Sequence, residues 1–297
     1  IGVTGTGTTP LGYLSVLPRW FDRRLGLALG AAMVGLGLGT MVFPVMAQQF
    51  ITNMGWRTAY VVLAAISLVL SLLAWCLVFA GGREGAVTAL AGPVAHAEQE
   101  GLTLGQAART GRYWLLLVIV FLVSAAGLGM AVHGLAHLTD RGMNAQAAAQ
   151  IGGMAGLGVV LGRLLAGGLM DRWSAPPVGA GSFALGALGI ALYAYGSPHS
   201  MPTMMAAGFL AALCIGAEGD FIPYTVRIYF GARSFGAIFG TLFGVYALGG
   251  LLGPIAFGIV FDRQGSYQNA LNAASAACVL AALACAMLGR GRYGRHH

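Results

Sequence analysis

The sequence predicts an all-α membrane protein of about nine apolar helices, and three observations carry that expectation. Of 297 residues, 58% are hydrophobic and 8% are charged, whereas a soluble domain carries roughly 25% charged residues. A surface so poor in charge suits lipid. The apolar residues come in runs long enough to cross a bilayer, which takes about 20 residues each. Most of the charged residues fall between those runs, with Arg163 and Arg227 within or at the edge of spans: all 16 basic residues are Arg, not gathered in a patch, so the net charge of +7 reads as membrane topology and not as a nucleic-acid patch.

In chain order the expected spans are 2–18, 25–51, 57–80, 112–138, 147–170, 178–196, 201–226, 233–259 and 267–289. Several are dense in Gly, as at Gly35, Gly37 and Gly39. Gly236, Gly240 and Gly244 form a four-residue repeat of the kind that lets membrane helices approach closely. Cys76, Cys214, Cys278 and Cys285 all lie inside apolar runs without metal-like spacing, and read as small buried hydrophobes. The chain opens on Ile1 in a Gly/Thr-rich apolar stretch with no signal peptide, the pattern expected of an internal cut.

The Arg distribution orients the spans. One side collects Arg19, Arg23, Arg24, Arg83, Arg109, Arg112, Arg172, Arg233, Arg290, Arg292 and Arg295, and the other has Arg57, Arg141 and Arg263. The Arg-rich side is the expected cytoplasmic side, which puts the C-terminus inside and residue 1 outside. The one long polar stretch, 81–111, reads as a cytoplasmic linker, with Thr103 and Gln106 spaced as a capping box. The expected division is therefore 1–80, linker 81–111, a six-helix bundle at 112–289, and a cytoplasmic tail at 290–297.

A shift of 210 residues overlays one region on another without a gap. Trp20 meets Phe230, Arg23 meets Arg233, Gly26 meets Gly236, Gly30 meets Gly240, Gly39 meets Gly249, Pro44 meets Pro254 and Gly55 meets Gly265. Spans two and eight are then equivalent helices of two parallel halves, a known transporter plan. The same register expects about 100 further residues and three helices before Ile1, in a whole of twelve spans.

Several motifs resemble the major facilitator superfamily, in particular bacterial members near its monocarboxylate-porter branch. Arg19-Trp20-Phe21-Asp22-Arg23-Arg24 before a Gly-rich helix is similar to the turn between the family's helices four and five, and Gly55-Trp56-Arg57 to the start of helix six. Gly162-Arg163-Leu164-Leu165-Ala166-Gly167-Gly168-Leu169-Met170-Asp171-Arg172 resembles the end of helix eight, with the core of the family's loop motif. Glu218 to Tyr224, and Phe235-Gly236 through Pro254, resemble helices ten and eleven. The basic tail of the loop motif is replaced here by Trp173-Ser174-Ala175-Pro176-Pro177. The Asp that monocarboxylate porters carry one turn before the helix-eight Arg is here Val159. The resemblance implies a major-facilitator-type bundle of twelve helices, of which helices one to three are missing.

Arg163 lies about 12 Å of helix rise before Asp171, so it sits at bilayer depth, where a guanidinium needs an anionic partner. The resemblance implies that it binds an anionic substrate group; a structural ion pair is the alternative. Glu218 and Asp220 are intramembrane carboxyls, candidates for proton coupling or for pairing with Arg163. Asp220 also shares a face with Arg227. His133, one turn from His137, and Tyr224 are candidate substrate contacts. Asp171, Arg172 and Arg233 are candidate gating residues, Asp171 through the helix start near Ser234. There is no P-loop, HExxH or nucleophile-elbow context, so no enzyme, cofactor or metal is expected.

The expected function is secondary active transport of a small organic anion, a carboxylate, coupled to protons, across the cytoplasmic (inner) membrane. The expected partners are that solute and the lipid bilayer, with the protein a monomer that binds no nucleic acid. An efflux pump for amphipathic compounds and a non-transporting, truncated membrane protein are the alternatives.

Overall fold

The computed structural model describes residues 25–80, 100–289 and 291. They fall into two compact units, one holding 25–42 with 100–289 and 291, the other holding 43–80. The helices are α1 (Leu25–Ala80), α2 (Leu104–Ala107), α3 (Gly111–Asp140), α4 (Ala145–Arg172), α5 (Ala175–Tyr195), α6 (Met201–Phe230), α7 (Phe235–Gln264) and α8 (Gln268–Met287).

Among the described residues seven helices are long and apolar enough to cross a membrane, fewer than the nine expected. Segment 2–18 lies outside the described residues. Segments 25–51 and 57–80 run together as the 56 residues of α1. A straight helix of that size would be roughly 84 Å long, far beyond about 30 Å of hydrocarbon. Gly55 (φ 77°, ψ 158°) is the non-helical residue that divides it into two helices. Gly265, its counterpart 210 residues on, ends α7 as a left-handed cap (φ 64°). Positive φ costs glycine nothing; the two residues share that sign of φ but differ in ψ, 158° at Gly55 and 17° at Gly265. In the unit holding residues 43–80, Cys76 is exposed and not buried as expected; the other three cysteines are buried.

From α3 to α8 the chain forms a six-helix bundle. α4 packs on α6, α3 on α7 and α8, and α5 on α6 and α8. Lipid tails give no hydrophobic drive to bring helices together, so close approach depends on small residues. A side chain at Gly158 or Gly162 would strike the α6 backbone at Phe209 or Leu213, and one at Gly216 would strike Val159 of α4. Gly249 and Gly253 of α7 meet α3 at Ser124 and Ala125 in the same way. Among the described residues the expected packing run of Gly236, Gly240 and Gly244 meets nothing within 4 Å. It lies on another face of α7 from the two glycines that touch α3. Fully buried aromatics fill the interior, among them Phe183 and Phe221 packed edge to face at 5.5 Å.

Exposed Trp114 and Trp173 ring one end of the bundle and exposed Tyr195 marks the other, as in the aromatic belts of membrane interfaces. The 21 residues of α5 separate those ends by about 30 Å. The segment ahead of α3 is tied down. Thr103 and Gln106 form a reciprocal capping box. The Leu102 N–H donates to the Phe230 carbonyl at 2.8 Å, and the Ala232 N–H donates to the Glu100 carbonyl at 3.0 Å.

These contacts separate two kinds of glycine. Gly162→Ala should destabilise the protein by about 1–3 kcal/mol through overpacking. Gly240→Ala should be neutral or stabilising by up to about 1 kcal/mol, because alanine is the better helix former. Thermal unfolding in detergent checks both.

Candidate functional site

The bundle brings three of the sequence-predicted charged residues together inside one helix pair. Arg163 and Asp220 are 4% and 0% exposed, and Glu218 is 1% exposed. Arg163 follows Gly162, the glycine that seats α4 against the α6 backbone at Leu213. That close approach carries the arginine across to α6, where its Nη1 donates to Asp220 Oδ1 at 3.3 Å. Asp220 therefore pairs between helices with Arg163. Val159, where the porter pattern has an acid, instead supplies the α4 backbone surface that meets Gly216.

The pair is only partly satisfied. Among the described residues, Arg163 Nε, Asp220 Oδ2 and Glu218 Oε1 are buried without a hydrogen-bond partner. A buried charge normally needs both pairing and hydrogen bonds to recover its desolvation cost, so this site holds unused capacity for polar contact. Glu218 and Asp220 lie two residues apart, about 200° around α6. They cannot share one face, and they flank Gly219. Arg163 and Cys278 are electrostatic neighbours of Glu218. Pro223 lies inside α6, and its missing N–H leaves the Gly219 carbonyl without its usual helical donor.

The remaining candidates lie apart from the pair. Half-buried Tyr224 donates its hydroxyl to the Met170 carbonyl at 2.6 Å, tying α6 to the end of α4. Asp171 and exposed Arg172 close that same helix end, and Arg233 is exposed just before α7. Ser234, the N-cap of α7, makes no side-chain cap hydrogen bond.

At the other end of the bundle, His133 Nε2 lies 3.0 Å from the Pro254 carbonyl and Nδ1 lies 3.2 Å from the Tyr267 hydroxyl. A carbonyl only accepts, so Nε2 carries the proton and, in the neutral ring, Nδ1 accepts from the tyrosine. The ring stacks on Phe257. His137 Nε2 and Arg141 Nη1 both donate to the Tyr193 carbonyl, each at 3.1 Å. Cationic and polar donors there suit the negative C-terminal end of α5. The two histidines are thus engaged with different elements.

Two participants escape a reading of the sequence. Tyr267 joins His133, His137 and Phe261 by hydrogen bond and ring contact, yet it stands in a short loop with no motif around it. Gly219 lies against the Arg163 guanidinium, and its only sequence signal is its place between two intramembrane acids.

Residues 1–254 match the family described as the Major Facilitator Superfamily. Among curated proteins the chain is 27% identical over 275 residues to monocarboxylate transporter 13 of Bos taurus, covering 89% of this chain and 60% of that protein. It is 29% identical over 267 residues to monocarboxylate transporter 11 of Homo sapiens, covering 86% and 54%. It is 26% identical over 249 residues to the uncharacterized MFS-type transporter YhjX of Escherichia coli, covering 81% and 59%. The chain thus spans little more than half the length of these relatives. Among solved structures, a single-residue variant of the E. coli fucose:proton symporter FucP superposes with a TM-score of 0.65 at 14% identity, covering 96% of this chain and 74% of that one. FucP in its outward conformation gives 0.63 at 15% identity, covering 94% and 71%.

Removing one partner of a buried ion pair leaves the other uncompensated. Arg163→Met or Asp220→Asn alone should cost about 3–5 kcal/mol, while Arg163→Met with Asp220→Leu should recover most of that loss. Unfolding of the single and double variants measures the coupling; additive losses would contradict the pairing.

Proposed function

The chain belongs to the Major Facilitator Superfamily, and from that premise we propose that it is a secondary active transporter. Its proposed substrate is a small organic anion, a carboxylate, moved by alternating access and coupled to protons across the cytoplasmic membrane. The observation that carries this reading is the buried guanidinium of Arg163, held by one contact to Asp220 while its Nε stays unpartnered. A guanidinium presents paired donors that match a carboxylate. A solute carboxylate could take the open edge of Arg163 or displace Asp220 from it.

The relatives include monocarboxylate transporters, and a structural neighbour is a fucose:proton symporter, which supports reading the chain as a solute carrier. Asp220 and Glu218 are the proposed proton carriers. An intramembrane carboxylate is costly as an anion, so taking up a proton as Arg163 turns to the substrate removes an uncompensated charge. His133 and Tyr224 are proposed as secondary substrate contacts, reached by exchanging their present bonds to Tyr267, Pro254 and Met170. Asp171, Arg172 and Arg233 are proposed to act at a gate on the Arg-rich side.

Protein reconstituted in vesicles should take up radiolabelled lactate when the proton gradient points inward, and an uncoupler should abolish the accumulation. Arg163→Ala should lower uptake by about 10- to 100-fold, the loss expected when a charge-assisted contact of roughly 1.5–3 kcal/mol is removed. Uptake equal to that of the unaltered protein would refute the role of Arg163. Broad uptake of amphipathic compounds with the same indifference to Arg163 would point to an efflux pump.

A further inference from the structure

Gly219 differs from the other glycines of the α4–α6 contact in what lies above it. A Cβ at residue 219 would stand 2.5 Å from Arg163 Nη1 and 3.0 Å from both Cζ and Nη2. The guanidinium therefore rests across the bare Cα of Gly219. At Gly158, Gly162 and Gly216 the obstructing atoms are backbone of the facing helix, so those glycines set the distance between helices. At Gly219 the obstruction is the charged end of a movable side chain.

Helix geometry puts an acid on each side of that seat, about 100° around α6 in either direction. Asp220 holds Nη1 at 3.3 Å. Glu218 lies within electrostatic reach of the same guanidinium, and its Oε1, like Asp220 Oδ2 and Arg163 Nε, is buried without a partner. We propose that Gly219 is a positioning residue: its missing side chain lets the Arg163 guanidinium lie between Asp220 and Glu218 and pass from one carboxylate to the other. The inference deepens the proposed function, since it rests on Arg163 as the working cation of the site. Through it the two acids become alternative partners in one exchange, and a side chain at residue 219 would block the crossing.

A purely structural role for Gly219 is the competing account. Pro223 lies four residues on, and a proline ring presses on the carbonyl of the residue four before it; glycine there would ease the strain. The accounts differ in what they require. Positioning needs Arg163, whereas strain relief needs only Pro223.

The test compares melting temperature and radiolabelled lactate uptake across variants of the full protein. Gly219→Ala should lower the melting temperature by a few degrees when Arg163 is present and leave it unchanged when combined with Arg163→Ala. It should also raise the KM for lactate about tenfold or more, as misplacement of a binding group does. Glu218→Gln should cost more in an Asp220→Asn background than alone, because the guanidinium then depends on Glu218. An equal loss from Gly219→Ala with and without Arg163 would overturn the positioning role. An equal cost of Glu218→Gln in both backgrounds would overturn the exchange. If Arg163→Ala does not fold, Arg163→Lys serves, since a lysine ammonium need not lie flat over residue 219. Normal uptake by Arg163→Ala, with an Arg163-dependent loss from Gly219→Ala, would remove the proposed function and leave this inference standing. Loss of uptake with an Arg163-independent effect would remove this inference alone.

Discussion

A guanidinium and a carboxylate held 3.3 Å apart in an apolar interior constrain the helices that carry them. In a low-dielectric setting neither charge is tolerable alone, so α4 and α6 must stay in one register for the pair to survive. The sequence meets that demand with glycine. Gly158, Gly162 and Gly216 remove the side chains that would hold the two backbones apart, and Arg163 follows directly on Gly162. Close backbone approach thus sets the reach of the ion pair, and the ion pair in turn fixes the register of the approach.

The same pair is under-satisfied. A guanidinium has five N–H donors, and at this site its Nε and two acidic oxygens find no partner among the described residues. An interaction built only for stability would be better replaced by well-packed apolar side chains. On the proposed reading the unused donors and acceptors are what a visiting carboxylate and a proton exploit. Neighbouring contacts hold the surrounding helices together in this arrangement, and on the proposed reading they are exchanged when His133 and Tyr224 turn to the substrate. Tyr224 ties α6 to the end of α4, and His133 braces α7 at Pro254 against α3.

Much of the fold was legible in the residues. The six spans from α3 to α8 follow from apolar length alone, and the capping box at Thr103 and Gln106 was readable because its chemistry is local. Gly55 and Gly265 were paired by sequence alone, and both hold positive φ where a helix breaks or ends. The misjudged features depend on which way a residue faces. Four-residue spacing marks Gly236, Gly240 and Gly244 as well as Gly249 and Gly253, yet only the second set touches α3; spacing defines a stripe but not its partner. Arg163, Glu218 and Asp220 were conspicuous as charges at bilayer depth. That Asp220 and not Glu218 holds the arginine depends on the rotation of α6, which one sequence does not specify. Gly219 was invisible as a participant because it contributes no side chain to the contact, only room.

The central claim is that Asp220 pairs with Arg163 and carries the coupling proton. It is tested most directly by comparing two modes of lactate movement in vesicles bearing Asp220→Asn. The amide is neutral at every pH, so the account predicts that exchange of labelled for unlabelled lactate at equilibrium persists while accumulation driven by a proton gradient disappears. Accumulation at the level of the unaltered protein would contradict it.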